Sequence, residues 1–177
     1  MNTCVATLRK SLSPKLQELV KSYPSIAKFQ LHWGEMDMFG HLNNVWYIRY
    51  VESARFAHFE QVMKKNFTET QYKNFKDGSG VGIIVKSISI NYRAPALYPD
   101  NIIVATKIAN LTKDRYTQYT VLLSENQENV VAETESVIVA YDYDKQGKGE
   151  LHDGFKKSYE QAVQEFGPQE PVKKARL

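Results

Sequence analysis

The chain has 177 residues, of which 42% are apolar, 12% aromatic and 24% charged. At roughly 150 residues per domain this is one domain with appendages, and the balance excludes a disordered or fibrous chain. The apolar run from Val81 to Val85 is far short of the ~18 residues that span a membrane, and the single cysteine, Cys4, excludes a disulfide framework, a cysteine zinc cluster and a redox pair. A reducing compartment fits that cysteine usage. The net charge of +3 is uneven: the first 30 residues carry Arg9, Lys10, Lys15, Lys21 and Lys28 against Glu18 alone. The body is therefore slightly acidic, unlike the basic surface of a nucleic-acid binder.

No internal repeat is visible. The first readable element is a helix within Ser13–Tyr23. Ser13 is the N-cap, Pro14 occupies the first position, and Leu12, Leu16, Leu19 and Val20 follow helical spacing up to Pro24. The basic, acid-free first 17 residues also fit a mitochondrial presequence, although arginine is scarce in them. Alternation over Phe29–Trp33 predicts a strand, and the polar Gly34–Asn44 stretch a loop. Val45–Lys65 is the longest helical pattern. Tyr47, Tyr50, Val51, Ala54, His58, Val62 and Met63 form its buried stripe, with Asn43 or Asn44 as N-cap. Gln71–Gly80 reads as a polar connector. Strands are predicted at Val81–Arg93, Asn101–Asn110, Arg115–Leu123 and Val130–Asp144. The first of these changes phase near Lys86–Ser87, which predicts a bulge. Ala94–Asp100 is a turn region. Gly147 and Gly149 break the chain before a helix over Leu151–Phe166 and a frayed tail. One strand, a long helix and four antiparallel strands give an α+β fold. Its exposed sheet edges could be covered by dimerisation through sheet extension.

Polar groups that can converge are concentrated at Glu35, Asp37, His41, Asn43 and Asn44, just before the long helix. A helix N-terminus offers unpaired N–H groups and partial positive charge, which can polarise a carbonyl and stabilise an oxyanion. A carboxylate beside it can take a proton from water or attack directly. Taken alone, an Asp in the place of Asp37 is more often a cap or turn residue, and a lone His such as His41 more often a structural one. The Gly78-Ser79-Gly80-Val81-Gly82 stretch lacks the Lys-Ser/Thr of a phosphate loop. His32, His41, His58 and His152 show no metal-ligand spacing with acids, and His58 reads as a core residue.

The run from Leu31 to Arg55, LHWGEMDMFGHLNNVWYIRYVESAR, resembles the signature of hotdog-fold thioesterases of the 4-hydroxybenzoyl-CoA thioesterase-like group. It is also similar to the acyl-carrier-protein thioesterases. Asn91–Asp100, NYRAPALYPD, resembles the turn these proteins place between their second and third strands. The resemblance implies an antiparallel five-stranded sheet wrapped around a long central helix. On this reading residues 1–28 are a basic arm with a short helix, 29–144 the hotdog thioesterase domain, and 145–177 a C-terminal helix and flexible tail. It implies hydrolysis of an acyl-CoA to free acid and coenzyme A, with Asp37 as general base or nucleophile. Backbone amides of Gly40, His41 and Leu42 would hold the thioester oxygen, and His41 would orient water or the carbonyl. Asn43 and Asn44 would bind substrate, and Trp46, Tyr47, Tyr50 and Val51 would form the acyl pocket. Arg93, with Lys86 and Lys113 as further candidates, would contact the nucleotide. The acyl-carrier-protein enzymes carry Asn two residues after the Asp, where this chain has Phe39, which favours coenzyme A over carrier protein. Glu35 supports the loop.

The implied partners are an acyl-CoA substrate and a second copy of the chain, as homodimer or homotetramer, without nucleic acid or membrane span. No cofactor is expected beyond the coenzyme A of the substrate. Ala175-Arg176-Leu177 resembles the small–basic–Leu peroxisomal address, which implies an import receptor in a eukaryote and cytoplasmic residence otherwise. Two other readings stay open. One is a non-catalytic hotdog subunit that binds acyl groups, which Phe39 favours. The other is an acyl-carrier-protein thioesterase or an enoyl-thioester hydratase.

Overall fold

The computed structural model describes residues 5–169. Two short helices, α1 (Val5–Ser11) and α2 (Pro14–Val20), lead into β1 (Ser25–Gln30). A 3-10 turn, Trp33–Glu35, and an irregular loop precede α3 (Asn44–His58), which runs on through a π turn, Phe59–Met63. Next come α4 (Glu69–Asp77), β2 (Val81–Tyr92), β3 (Asn101–Ala109), β4 (Arg115–Ser124), β5 (Asn129–Asp142), β6 (Gly147–Lys148) and α5 (Asp153–Phe166). The strands form one antiparallel sheet in the order β1-β3-β4-β5-β2, with β6 added to the end of β5. It is the expected α+β hotdog arrangement, with six strands rather than five. The sixth is the two-residue return of the glycine-containing turn that the sequence marks as a break.

Alternation along β3 explains how both sheet faces are filled. Ile102 and Val104 point to α3, where they meet Tyr47, Tyr50, Val51 and Ala54. Ile103 and Ala105 point the other way, onto Leu12, Leu16 and Val20 of the N-terminal helices. A third cluster joins the π turn to α5 through Phe59, Met63, Tyr116, Ile138 and Phe155. Ser13 caps α2 as expected, its Oγ accepting from Leu16 N–H. Arg9 donates to the carbonyls of Val20 (2.8 Å) and Tyr23 (2.6 Å), holding α1 on the end of α2.

Several boundaries differ from the sequence reading. The first strand is Ser25–Gln30 rather than Phe29–Trp33. It pairs with β3 as far as Gln30–Asn101, and Leu31 N–H then donates to Asp100 O (3.0 Å). The Glu35 carboxylate accepts from His32 N–H (2.9 Å) and bends the chain into the 3-10 turn, which puts Trp33 outside the sheet. The long helix is regular only to His58. The expected connector at Gln71–Gly80 is largely α4, started by a capping box: Thr68 Oγ1 accepts from Gln71 N–H (3.2 Å) and Gln71 Oε1 from Thr68 N–H (2.9 Å). β5 stops at Asp142, whose carboxylate accepts from the backbone of Asp144 and Lys145. The predicted bulge in β2 is present as a register shift between Val85 and Ser87. Most of the tail, including Ala175-Arg176-Leu177, lies outside the described residues.

Candidate active site

The segment from Met36 to Asn43 folds into a narrow loop held almost wholly by its own backbone. Met36 and Leu42 bridge as in an antiparallel pair. Asp37 N–H donates to His41 O (2.7 Å) and Gly40 N–H to Asp37 O (3.1 Å), with Gly40 at φ 76°, a conformation that suits glycine. The Asp37 side chain completes the turn: its Oδ1 accepts from Phe39 N–H (2.8 Å) and His41 N–H (3.1 Å). Its Oδ2 has no partner among the described residues. One carboxylate oxygen therefore builds the loop while the other stays available.

Two braces fix the loop against the body. Glu35 is buried, and its Oε2 accepts from Tyr50 Oη–H (2.5 Å) as well as from His32. Burial, followed by that carboxylate, pushes the Tyr50 phenol well above its ordinary range. The Glu35 carbonyl accepts from Asn43 N–H (2.9 Å). On the other side Ala96 acts twice: its carbonyl accepts from Leu42 N–H (2.9 Å) and its N–H donates to Tyr47 Oη (3.2 Å). Burial raises the Tyr47 pKa, and the charge of Asp37 adds to the rise.

Asn43 is the N-cap of α3, with its Oδ1 accepting from Val45 N–H (3.2 Å). The amides expected to hold the thioester oxygen are therefore already committed: Gly40 to Asp37 O, His41 to Asp37 Oδ1 and Leu42 to Ala96 O. The donor left at the helix N-terminus is Asn44 N–H, for which no described residue supplies an acceptor. Asn44 is exposed, and its carbonyl accepts from Tyr92 Oη–H (3.2 Å).

The structure thus gathers Asp37, Gly40, His41, Leu42, Asn43 and Asn44 into one junction, with Tyr47 beneath it. The His41 ring is exposed and makes no hydrogen bond to a described residue. Trp46 is half-buried against the α3 core. Arg93 is already occupied, donating through Nε (3.0 Å) and Nη2 (2.6 Å) to Glu133. Sequence reasoning missed Ala96 and Tyr92. Ala96 acts only through its backbone, so nothing in the residue type marks it. Around the loop lie exposed apolar side chains: Met38 at 90%, Phe39 at 74% and Trp33 at 73% exposure. No three His, Cys, Asp or Glu side chains cluster as metal ligands among the described residues, and none of the described helices is long and apolar enough to cross a membrane.

This architecture has solved counterparts. The DHNA-CoA thioesterase of Staphylococcus aureus superposes with a TM-score of 0.65 at 18% identity, covering 81% of this chain and 95% of its own. The PA5185 protein of Pseudomonas aeruginosa gives 0.67 at 20% identity, with 81% and 94% covered. A thioesterase from Thermus thermophilus, solved with coenzyme A and zinc, gives 0.64 at 16% identity, with 80% and 95% covered. By sequence no curated protein matches. The model of the thioesterase-like superfamily matches residues 31–168, from just after β1 to just past the end of α5. The chain therefore belongs to the thioesterase-like superfamily, as a thioester hydrolase on the hotdog fold.

Proposed function

We propose that the chain hydrolyses acyl-CoA thioesters at the junction of the Met36–Asn43 loop and α3. The observation that carries this reading is the split use of Asp37: Oδ1 is bound by two loop amides, and Oδ2, at the approach to the N-terminus of α3, has no partner among the described residues. The thioester oxygen accepts from Asn44 N–H, where the helix end stabilises developing negative charge. Asp37 Oδ2 takes a proton from water as the hydroxyl adds to the carbonyl carbon. The C–S bond then breaks and the thiolate recovers that proton as free coenzyme A. Alternatively Oδ2 attacks the carbonyl and expels the thiolate, and water cleaves the resulting mixed anhydride. His41, exposed on the loop, orients the water. The apolar rim of Trp33, Met38 and Phe39 gives the substrate a surface to cover.

This chemistry calls for no cofactor beyond the coenzyme A that the substrate brings. A second copy of the chain is proposed to pair along β2, an edge strand whose Ile84, Val85 and Ile88 are exposed. If the source is eukaryotic, Ala175-Arg176-Leu177 is proposed as the ligand of a peroxisomal import receptor.

The test is thiol release from short, long and aromatic acyl-CoAs by wild type and Asp37→Asn. Asn keeps an oxygen for the loop amides and removes the base, so kcat is expected to fall roughly a hundred- to ten-thousand-fold with the fold intact. Undiminished turnover in the variant refutes the role of Asp37. Absence of release from every acyl-CoA would refute the choice of coenzyme A thioesters as substrates.

A further inference from the structure

A cavity of about 380 Å³ lies between the C-terminal half of α3, α4 and the start of β2. Arg55 is eleven positions beyond Asn44, so at 1.5 Å per residue the cavity is roughly 16 Å along α3 from the active-site junction. Its size is at the lower end of the ~300–1,000 Å³ typical of small-molecule sites.

The walls are aromatic. Phe59 and Phe75 stack face to face with centroids 4.1 Å apart, and Tyr72 continues the stack on Phe59 at 6.2 Å. Phe56 and Tyr143, both exposed in part, stand at the cavity's margin. Gly82 lines it without a side chain, because a Cβ there would come within 2.9 Å of the Tyr143 ring.

Arg55 lines this largely aromatic space. The Arg55 side chain forms no hydrogen bond or ion pair with a described residue, and its Nε is buried without an acceptor. Burial pulls its pKa below the ordinary value, and the nearby Tyr116 and Glu52 only partly offset this. Glu52 is itself engaged by Arg49. The one acid lining the cavity, Glu60, is likewise committed: Oε1 accepts from Tyr72 Oη–H (2.6 Å) and Oε2 from Lys64 (3.0 Å). Lys76, over the Tyr72 ring, adds a second positive charge. A buried donor without an acceptor is costly, and a planar anion that takes two N–H groups relieves that cost.

We propose that this cavity is a second ligand site, distinct from the Asp37 junction, that binds a small aromatic carboxylate. The ring lies against Phe59, Phe75 and Tyr72, and the carboxylate accepts from Arg55. Edge-to-face and offset contacts with the walls favour an aromatic over an aliphatic body.

The experiment is calorimetric titration of the full chain with 3-phenylpropionate and with its neutral amide, 3-phenylpropionamide. The acid is expected to bind saturably at one site per chain. The amide should bind at least tenfold more weakly to the same wild-type protein, a comparison that needs no variant to fold. Arg55→Met should weaken the acid at least tenfold, while Asp37→Asn leaves its affinity unchanged. Equal binding of acid and amide, no saturable binding of the acid, or undiminished binding to a folded Arg55→Met protein would each overturn the proposal. So would loss of binding in Asp37→Asn, which would place the acid at the junction. Because the readout is binding, failure here is separable from failure of the hydrolase reading.

Discussion

His58 should set how the protein responds to mild acid. It ends α3 fully within the core, 2% exposed, with Nδ1 2.7 Å from Ser25 Oγ and Nε2 without a partner among the described residues. Ser25 also reaches Thr106 O (3.2 Å). Both contacts are used when Ser25 donates to that carbonyl and His58 Nδ1–H donates to Ser25 Oγ, which leaves Nε2 a bare acceptor in apolar surroundings. Protonating Nε2 would create a buried cation with an unanswered donor, and burial accordingly lowers the pKa from 6.5 to about 4. The unfolded chain then binds the proton first. Stability is complete above pH 6.5, declines as pH falls, and levels out below pH 4, with a total loss of about 3 kcal/mol from this group. Between pH 7 and pH 5 the loss is about 2 kcal/mol, and with a urea slope of about 2 kcal/mol/M the unfolding midpoint should drop by about 1 M. His58→Leu, placed among Val62, Met63 and Ile108, removes the titrating group. Urea unfolding of both proteins at pH 7 and pH 5 should show the variant losing about 1 M less than wild type over that interval. Equal losses in the two proteins would refute the assignment, since every other titrating group is common to both.

Two further outcomes follow from the packing. Glu35→Ala strips Tyr50 Oη–H and His32 N–H of their acceptor. It should cost about 2 kcal/mol in urea unfolding and lower the rate of thiol release by loosening the loop that carries Asp37, and an unchanged midpoint would contradict the bracing role. Gly154→Ala places a Cβ 2.7 Å from Asn66 O and 2.8 Å from the Phe67 ring. The overpacking should cost about 2 kcal/mol and lower the melting temperature by about 6 °C, with turnover per folded molecule preserved; a variant as stable as wild type would show that α5 can shift freely.

What the sequence made legible follows from which interactions are local. The α2 cap, the α3 stripe and the β2 bulge are written in neighbouring residues, through Ser13 and Pro14, the three-and-four spacing of Tyr47, Tyr50, Val51 and Ala54, and the phase change at Lys86. The position of β1 is not local. Phe29 to Trp33 alternates well enough for a strand, but the paired stretch is set by β3, and Glu35 turns the chain out of the sheet before Trp33. The α4 helix lay within reach, since Thr68 and Gln71 have capping-box spacing. Its polar composition hid it, because only Tyr72 and Phe75 face the body.

At the candidate active site the same division separates side chains from backbone. Asp37, His41, Asn43 and Asn44 are identifiable by type and by their place before a helix. Which amide remains free to receive an oxyanion depends on a count of acceptors that the sequence does not display. Asp37 Oδ1 consumes two amides, the Asp37 carbonyl consumes Gly40, and Ala96, some fifty positions away, consumes Leu42. The proposed donor is thereby Asn44 N–H, at the first residue of α3, rather than an amide of the loop. The residue proposed to supply the reactive oxygen is thus also the one that satisfies the competing amides. Asp37→Ala should accordingly damage the loop as well as the chemistry, whereas Asp37→Asn removes the chemistry alone, and it is the difference between those two variants that separates the carboxylate's work as an acceptor from its work as a base.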